Sequence, residues 1–235
     1  MSLIRLDKLL VQSGQCSRKE ARQWIASGRV TVNGLTITVP DTKVEEKGTD
    51  VALDGILLSC ERYVYVMLHK PVGVLTATED SAQATVLDLL EERFQKLSLF
   101  PVGRLDKDTS GLLLLCNDGD WAHRLLSPKN HVPRRYLAEV DGELSETDIE
   151  AFREGLLLKD GTRCLSAGLE ILSARRACVE IREGKYHQVR RMFAACGKTV
   201  LTLKRLSVGS LALDGNLAPG QSRPLTKEET ELVFE

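Results

Sequence analysis

The chain is 235 residues long, 43% of its residues are apolar, and its 32 basic and 33 acidic residues leave a formal net charge of −1. This length and apolar content are enough for one domain of ordinary size and a second, smaller one. The sequence has no run of about 18 apolar residues and no charged segment followed by an apolar leader at its start. We therefore expect neither a membrane span nor secretion, and we expect a cytoplasmic protein.

The six cysteines and four histidines bear on metal binding and redox state. No two cysteines have the Cys-x-x-Cys spacing, which disfavours both a zinc site and a disulfide framework. The histidines show no metal-ligand spacing either. We expect no metal, and free, mostly buried thiols, at Cys16, Cys60, Cys116, Cys164, Cys178 and Cys196.

The first sixty residues are predicted to form two short helices followed by a hairpin. Three leucines within residues 6–10 recur at helical spacing. Residues 17–20, Ser-Arg-Lys-Glu, have the spacing of a capping box that begins a second helix, and Gly28 ends that helix. Asn33-Gly34, between two short β-branched runs, predicts a tight hairpin turn.

A polar stretch at residues 59–62 separates this part from the rest, so the expected domains are 1–60 and 61–235. In the second, strands alternate irregularly with helices and no regular βαβ repeat occurs, which predicts an α+β fold on a mostly antiparallel sheet. The predicted strands are 63–68, 112–116, 136–140, 177–182 and 200–206. The predicted helices are 86–95, 121–126, 148–154 after a cap at Ser145, 187–195, and a last one beginning at Thr226, whose capping-box partner is Glu229.

The charges are segregated although their sum is close to zero. Residues 5–29 contain six basic and two acidic residues, residues 124–135 contain four basic and no acidic ones, and residues 182–205 contain seven basic and one acidic. Three basic segments favour one positive face that binds a phosphate backbone. A solvated helix face is the alternative for each segment alone.

The most informative segment is 103–112, Gly-Arg-Leu-Asp-Lys-Asp-Thr-Ser-Gly-Leu, which runs directly into the apolar residues 112–115. It places acids and bases in a glycine-bracketed turn at the mouth of a predicted core strand. A loop in this position can adapt to a substrate while the strand behind it fixes its location. A polar turn that merely enters a buried strand is the alternative, and the pattern alone does not separate the two.

Segment 103–112 resembles the catalytic motif of the pseudouridine synthases, in the branch that includes the small-subunit ribosomal RNA enzyme. Three further segments resemble that family in the same order. They are 70–73, Lys-Pro-Val-Gly, 135–137, Arg-Tyr-Leu, and 184–192, Gly-Lys-Tyr-His-Gln-Val-Arg-Arg-Met.

Residues 5–34 resemble the small RNA-binding module of ribosomal protein S-four. A DNA-binding helix-turn-helix is the alternative for two basic helices.

The resemblance implies the roles of individual residues. Asp106 is the expected nucleophile, Arg190 the cation paired with it, and Tyr136 the side chain against the target uracil. These roles agree with elementary chemistry, because a carboxylate in a closed pocket needs a fixed cation to stay charged and a tyrosine offers a flat face and a hydroxyl. The expected substrate-binding residues are Arg104, Lys70, His187 and Gln188, and in the N-terminal part Arg18, Lys19 and Arg22.

The resemblance also implies the reaction. Asp106 is expected to attack a flipped-out uridine at C1′ or C6, the glycosidic bond breaks, and the uracil rejoins through C5. Arg104 is expected to fill the space that the base vacates. No cofactor is needed. The competing classes are a non-catalytic RNA-binding protein on the same fold, a glycosidase and a metal-dependent nuclease.

The expected partner is ribosomal RNA, either free or in a partly assembled small ribosomal subunit. Residues 117–128 and a C-terminus without a basic tail resemble the small-subunit enzyme more than its large-subunit relatives. Large-subunit ribosomal RNA is the alternative substrate. We expect the protein to be a monomer and to have no membrane partner.

Overall fold

The computed structural model describes residues 3–14, 16–46, 48–58 and 63–235. These residues fall into two compact units, the first made of residues up to 64 together with 90–99, and the second of 65–89 and 100–235. The predicted domain boundary, in the polar stretch 59–62, lies outside the described residues. The sequence did not indicate that 90–99 would pack with the N-terminal part. No helix among the described residues has the length and apolar character needed to cross a bilayer.

The first unit contains two small antiparallel sheets and three helices. One sheet pairs β1 with β4, and the other has the strand order β3-β2-β5-β6. The elements are β1 (Leu3–Arg5), α1 (Leu6–Val11), α2 (Arg18–Ala26), β2 (Val30–Val32), β3 (Leu35–Thr36), β4 (Lys43–Glu45), β5 (Val51–Leu53), β6 (Ile56–Leu58) and α3 (Glu92–Gln95).

Local signals in this unit work as predicted. Ser17 and Glu20 form the capping box of α2, in which each side chain bonds the other's backbone N–H. Asn33 and Gly34 connect β2 to β3 with φ angles of 49° and 80°, as a two-residue turn with positive φ at both positions requires. The leucines of α1 are buried in the core of the unit.

A buried carboxylate organises the basic residues of this unit. Asp7 is fully buried, and its Oδ2 lies 2.7 Å from Arg5 Nη2, 3.3 Å from Arg22 Nη1 and 3.5 Å from Arg18 Nε. The hydrogen bond from Arg5 holds the pKa of Asp7 below its ordinary value against the opposing effect of burial. Two of the three residues expected to contact phosphate, Arg18 and Arg22, are therefore ion-paired within the unit, whereas Lys19 is exposed.

The second unit is built on one large sheet. Its strand order is β11-β12-β10-β13-β9-β7-β15, with β14 paired to β13 and β8 paired to β9. The elements are β7 (Tyr65–Lys70), β8 (Phe100–Val102), β9 (Ser110–Cys116), α4 (Gly119–Leu126), a 3₁₀ turn (Pro128–Asn130), β10 (Arg134–Val140), α5 (Glu146–Glu154), β11 (Gly168–Ser173), β12 (Arg176–Ile181), α6 (Gln188–Ala195), β13 (Val200–Val208), β14 (Leu211–Ala212), β15 (Ser222–Pro224) and α7 (Lys227–Leu232).

The strand β9 lies inside this sheet, between β13 and β7, and sets where the preceding loop lies. Residues 111–116 are all buried. The pairing of β9 with β13 is the one parallel contact among the described strands, and it places Gly111 beside Arg205. A Cβ at Gly111 would lie 2.2 Å from the Arg205 carbonyl oxygen, and the φ of Gly111 is 109°. Only glycine fits there, so the loop before β9 is held close to β13.

The predicted α+β fold on a mostly antiparallel sheet is confirmed. The capping boxes at Ser145 and Thr226 are also present. The helix predicted at 86–95 is wrong for most of its length, because α3 covers only its last four residues. Asp88 accepts hydrogen bonds from the backbone N–H and hydroxyl of Thr85, at 2.7 and 3.0 Å, and such side-chain bonding favours a turn over a helix.

Asp7→Asn should destabilise the N-terminal unit by about 1–3 kcal/mol, because three arginines lose a buried anionic partner. The folded pKa of Asp7 lies below its unfolded value, so this contribution is present above about pH 3.9 and is lost as the pH falls through the folded pKa. Urea unfolding of wild type and variant at a series of pH values measures both effects.

The matched control for this prediction is Asp41→Asn, since Asp41 contacts Arg5 and Arg22 from the exposed side. We expect this control to change the free energy of unfolding by less than about 1 kcal/mol. A stability difference between wild type and Asp7→Asn that stays constant down to about pH 2 would contradict the prediction.

Candidate active site

A cavity of about 940 Å³ opens beside the start of β9, within the second unit. Its walls come from the loop 103–109, from residues 125–128, from the strands β10, β12 and β13, and from the segment 181–189. The volume is at the upper end of the range for small-molecule sites. Of the residues predicted for this unit's site, those that line the cavity are Arg104, Asp106, Tyr136, His187 and Gln188.

Asp106 lies on a turn whose backbone is fixed on both sides. The Thr109 N–H donates to the Asp106 carbonyl oxygen at 3.1 Å. One residue earlier, Thr76 bonds both the N–H and the carbonyl of Leu105 through its hydroxyl, at 3.2 and 2.7 Å. The Asp106 carboxylate is one-third exposed, and its Oδ1 lies 3.4 Å from His187 Nε2. The nucleophile predicted from the sequence thus faces the cavity from a rigid support.

Lys70 supports this turn and does not face the cavity. Its side chain is fully buried, and its ammonium donates to the carbonyl oxygens of Pro71, Asp106 and Thr109 at 3.0, 3.0 and 2.9 Å. Burial lowers the pKa of Lys70 to about 8. The expectation that Lys70 binds substrate is corrected: β7 extends two residues beyond the predicted strand, and this carries the side chain under the loop.

Arg190 pairs with a different carboxylate from the one predicted. Its Nη2 lies 2.9 Å from Asp108 Oδ2 and donates to the Asp108 carbonyl oxygen at 3.1 Å, while Nη1 donates to the Val200 carbonyl oxygen at 3.0 Å. The predicted ion pair with Asp106 is therefore replaced by one with Asp108. Both acids line the cavity, but the Asp108 carboxylate is paired with Arg190 of α6 and the Asp106 carboxylate lies beside His187.

His187 and Gln188 open α6 in different ways. His187 precedes the helix with a φ of 46°, and its ring stacks on the exposed Tyr186 with centroids 3.9 Å apart. Gln188 is buried: its side-chain N–H donates to Glu183 at 2.7 Å, and its carbonyl oxygen accepts from the Lys185 N–H at 2.9 Å. Gln188 therefore shapes the segment that bounds the cavity, and its expected role in binding substrate stays a prediction.

Tyr136 lies on the floor of the cavity in β10. It is opposite Arg205 in β13 and opposite Val179 in β12, and it is mostly buried. Two further cavity residues, Arg134 and Arg205, were not selected from the sequence. Arg134 precedes Tyr136 by two positions, so strand alternation could have placed it on the same face. Arg205 carries no local signal, because only the register of β13 brings it to Tyr136.

The histidines, cysteines and acids near the cavity bear on metal binding and redox state. The described residues contain no group of three or more His, Cys, Asp or Glu side chains placed to hold a metal ion. The five cysteines in the described part of the chain are free, and four of them are buried. Cys60 lies outside the described residues.

Comparison with known proteins identifies the class. The chain matches the family model for RNA pseudouridylate synthase over residues 64–195 and the model for the S4 domain over residues 4–51. It is 44% identical to an uncharacterized RNA pseudouridine synthase of Bacillus subtilis (strain 168), over 99% of each chain. It is 40% identical to ribosomal small subunit pseudouridine synthase A of Escherichia coli (strain K12), over 98% of this chain and 100% of that protein.

The fold agrees with these matches. A solved structure of a pseudouridylate synthase superposes with a TM-score of 0.70 at 35% identity, covering 98% of this chain and 99% of that one. The chain therefore joins an S4 domain to an RNA pseudouridylate synthase unit, which is the class of an RNA-modifying enzyme. The chain belongs to the RNA pseudouridylate synthase family, and it is a pseudouridine synthase that acts on RNA. The resemblance seen in the sequence is confirmed.

Lys70→Met should lower the single-turnover rate at neutral pH by about tenfold or more, because the loop under Asp106 loses the cation that holds it. In the wild type the rate should fall as the pH rises through about 8, where the Lys70 ammonium deprotonates. The variant should lack this alkaline limb. Lys227→Met, which alters an exposed lysine of the same unit outside the cavity, is the control. A Lys70→Met enzyme that keeps the wild-type rate and limb would show that Lys70 is dispensable.

Arg190→Met and Asp108→Asn should each slow the single-turnover rate by about tenfold, equivalent to about 1.4 kcal/mol. The double variant should be no slower than either, because both changes remove the same pair. Single-turnover kinetics on all three enzymes measure this coupling. Arg191→Met is the control, since Arg191 pairs with Asp160 instead. Additive losses in the double variant would mean that Arg190 acts separately from Asp108.

Proposed function

We propose that the protein converts a uridine of small-subunit ribosomal RNA to pseudouridine, with Asp106 as the nucleophile. The observation that carries this proposal is the Asp106 carboxylate, held on a fixed turn and open to the cavity that Tyr136 also lines. A nucleophile must be presented to the reacting atom with little freedom of its own. The hydrogen bond from the Thr76 hydroxyl to the Leu105 carbonyl oxygen and that from the Thr109 N–H to the Asp106 carbonyl oxygen supply that restraint.

The cavity has to accept a nucleotide that has left its helix, because the glycosidic bond of a stacked, paired uridine is out of reach. Asp106 then adds either to C1′, with departure of the uracil through N1, or to C6 of the base. In both routes the N1–C1′ bond breaks, a C5–C1′ bond forms, the C5 proton is lost and N1 gains a proton. The carboxylate is regenerated, so the isomerisation needs no oxidant, reductant or group donor.

Other cavity residues fit supporting roles in this proposal. Tyr136 offers its ring to the uracil and its hydroxyl to a proton at the base edge. Arg104, exposed at the rim, is placed to enter the space that the base leaves in the RNA. His187 Nε2 lies 3.4 Å from Oδ1 of the proposed nucleophile. His187 is therefore placed to orient the Asp106 carboxylate.

The choice of RNA rests on the relatives. The Escherichia coli protein, which is similar over its whole length, is a small-subunit ribosomal RNA enzyme by name. The S4 domain supports contact with folded RNA through phosphate groups. We propose that Lys19 makes such contacts. The guanidinium N–H groups of Arg18 and Arg22 that do not contact Asp7 contribute to them. The substrate is then free ribosomal RNA or a partly assembled small subunit in the cytoplasm.

Asp106→Asn should abolish pseudouridine formation and leave RNA affinity within a few-fold of wild type, because the amide keeps the shape but not the nucleophile. The measurement maps pseudouridine in ribosomal RNA from cells that lack the protein and express either variant. Asp108→Asn is the matched control, two residues away, and should retain about a tenth of the activity.

A missing pseudouridine in large-subunit RNA instead of small-subunit RNA would transfer the proposal to that substrate. Substantial turnover by the Asp106→Asn enzyme would overturn the assignment of the nucleophile.

A further inference from the structure

Two arginines lie on the floor of the cavity and belong to neighbouring strands. Arg205 in β13 is opposite Tyr136 in β10, and Arg134 precedes Tyr136 by two positions, so all three side chains share one face of the sheet. Arg205 is 3% exposed, and Arg134 is half-buried. The cavity therefore has a doubly cationic floor next to the residue proposed to contact the uracil.

Neither arginine has a carboxylate partner among the residues that the structure describes. Arg205 Nε donates to the Leu112 carbonyl oxygen at 2.7 Å, which leaves its two Nη groups, and Arg134 forms no ion pair or side-chain hydrogen bond with a described residue. Arg104, at the rim, likewise has no carboxylate contact with a described residue, whereas four other arginines near the cavity are paired. Those that pair with an acid are Arg135 with Glu170, Arg182 with Glu180, Arg190 with Asp108 and Arg191 with Asp160.

The acids of the cavity do not neutralise this floor. Glu183 is bonded to Lys185 and Gln188, and Asp108 is bonded to Arg190. The Asp106 carboxylate lies 3.4 Å from His187 and forms no ion pair with Arg134 or Arg205. Burial and the adjacent Arg205 both lower the pKa of Arg134, as expected where two cations lie close together away from water. Two like charges in a half-closed site are unfavourable unless an anion joins them.

We infer that Arg134 and Arg205 together bind a phosphate group of the flipped-out nucleotide. This inference rests on the proposed function, which supplies the nucleotide. A guanidinium fork matches the oxygens of a phosphate in a way that a point charge does not. Residues two apart on a strand are separated by about 6.6 Å, so a base against Tyr136 leaves room for the ribose between Tyr136 and a phosphate at Arg134. The cavity, at about 940 Å³, is large enough for the whole nucleotide.

The first test measures binding and needs no turnover. Affinities for uridine, uridine 3′-monophosphate, uridine 5′-monophosphate and inorganic phosphate are measured by ligand-observed NMR on the full chain. We expect one of the two monophosphates to bind the wild type at least tenfold more tightly than uridine or inorganic phosphate. Arg134→Gln should remove this preference. Arg135→Gln, which alters the next residue on the opposite face of β10, should keep it.

The second test uses small-subunit RNA fragments that carry a neutral methylphosphonate on the 3′ or the 5′ side of the target uridine. A methylphosphonate at one of these positions should lower the wild-type single-turnover rate by tenfold or more. Arg134→Gln should lower the rate on unmodified RNA by the same factor. The variant should show no further loss of rate on the modified RNA. Thermal unfolding of each variant verifies that it folds. Arg134 carries the test because Arg205 also supports the backbone of β9.

Several results would overturn the inference. One is an Arg134→Gln enzyme as sensitive to methylphosphonate as the wild type at both positions. Another is equal binding of uridine and its monophosphates, and a third is binding of inorganic phosphate as tight as that of either monophosphate. If the wild type shows the monophosphate preference but forms no pseudouridine, the phosphate site stands and the proposed function fails. If pseudouridine forms and the preference is absent, the proposed function stands and the phosphate site fails.

Discussion

The buried ammonium of Lys70 fixes the loop on which the rest of the candidate site depends. The antiparallel pairing of β7 with β9 places Lys70 opposite Gly111, directly below the turn that carries Asp106. A buried cation is costly unless its hydrogen bonds are satisfied, and here the acceptors are the carbonyl oxygens of that turn. The turn cannot rearrange without leaving the charge unsatisfied. Close contact between Gly111 and Arg205 restrains the same loop from the other side.

This arrangement leaves the Asp106 carboxylate unusually available. Its Oδ1 lies 3.4 Å from His187 Nε2, whereas the guanidinium of Arg190 is engaged by Asp108. A bidentate arginine would occupy the carboxylate oxygens and lower their reactivity toward carbon. Because the second acid of the loop takes that partner, the first keeps an oxygen facing the cavity. Asp108 thus stabilises the loop through Arg190, while Asp106, the proposed nucleophile, is presented to the cavity.

Much of the local structure could be predicted from the sequence, because its signals act over a few residues. The capping box at Ser17 and the turn at Asn33-Gly34 are both decided by neighbouring backbone groups. The targets of long side chains could not be predicted. Whether Lys70 reaches substrate or backbone depends on where β7 ends, and Arg205 enters the cavity only through the register of β13. The order of the motifs indicated which segments of the chain form the cavity. Which side chains contact one another there depends on how the strands pair.

The balance of charge within the cavity explains how a chain of net charge −1 can act on a polyanion. Six basic residues line the cavity against three acidic ones, Asp106, Asp108 and Glu183, so the cavity has an excess of three positive charges. The N-terminal unit contributes less than its sequence indicates, since Asp7 and Asp41 offset two of the charges of Arg5, Arg18 and Arg22. A concave positive site focuses its field on a ligand that enters it. Attraction for RNA is therefore concentrated at the cavity itself, where a phosphate close to the target uridine gains most from it.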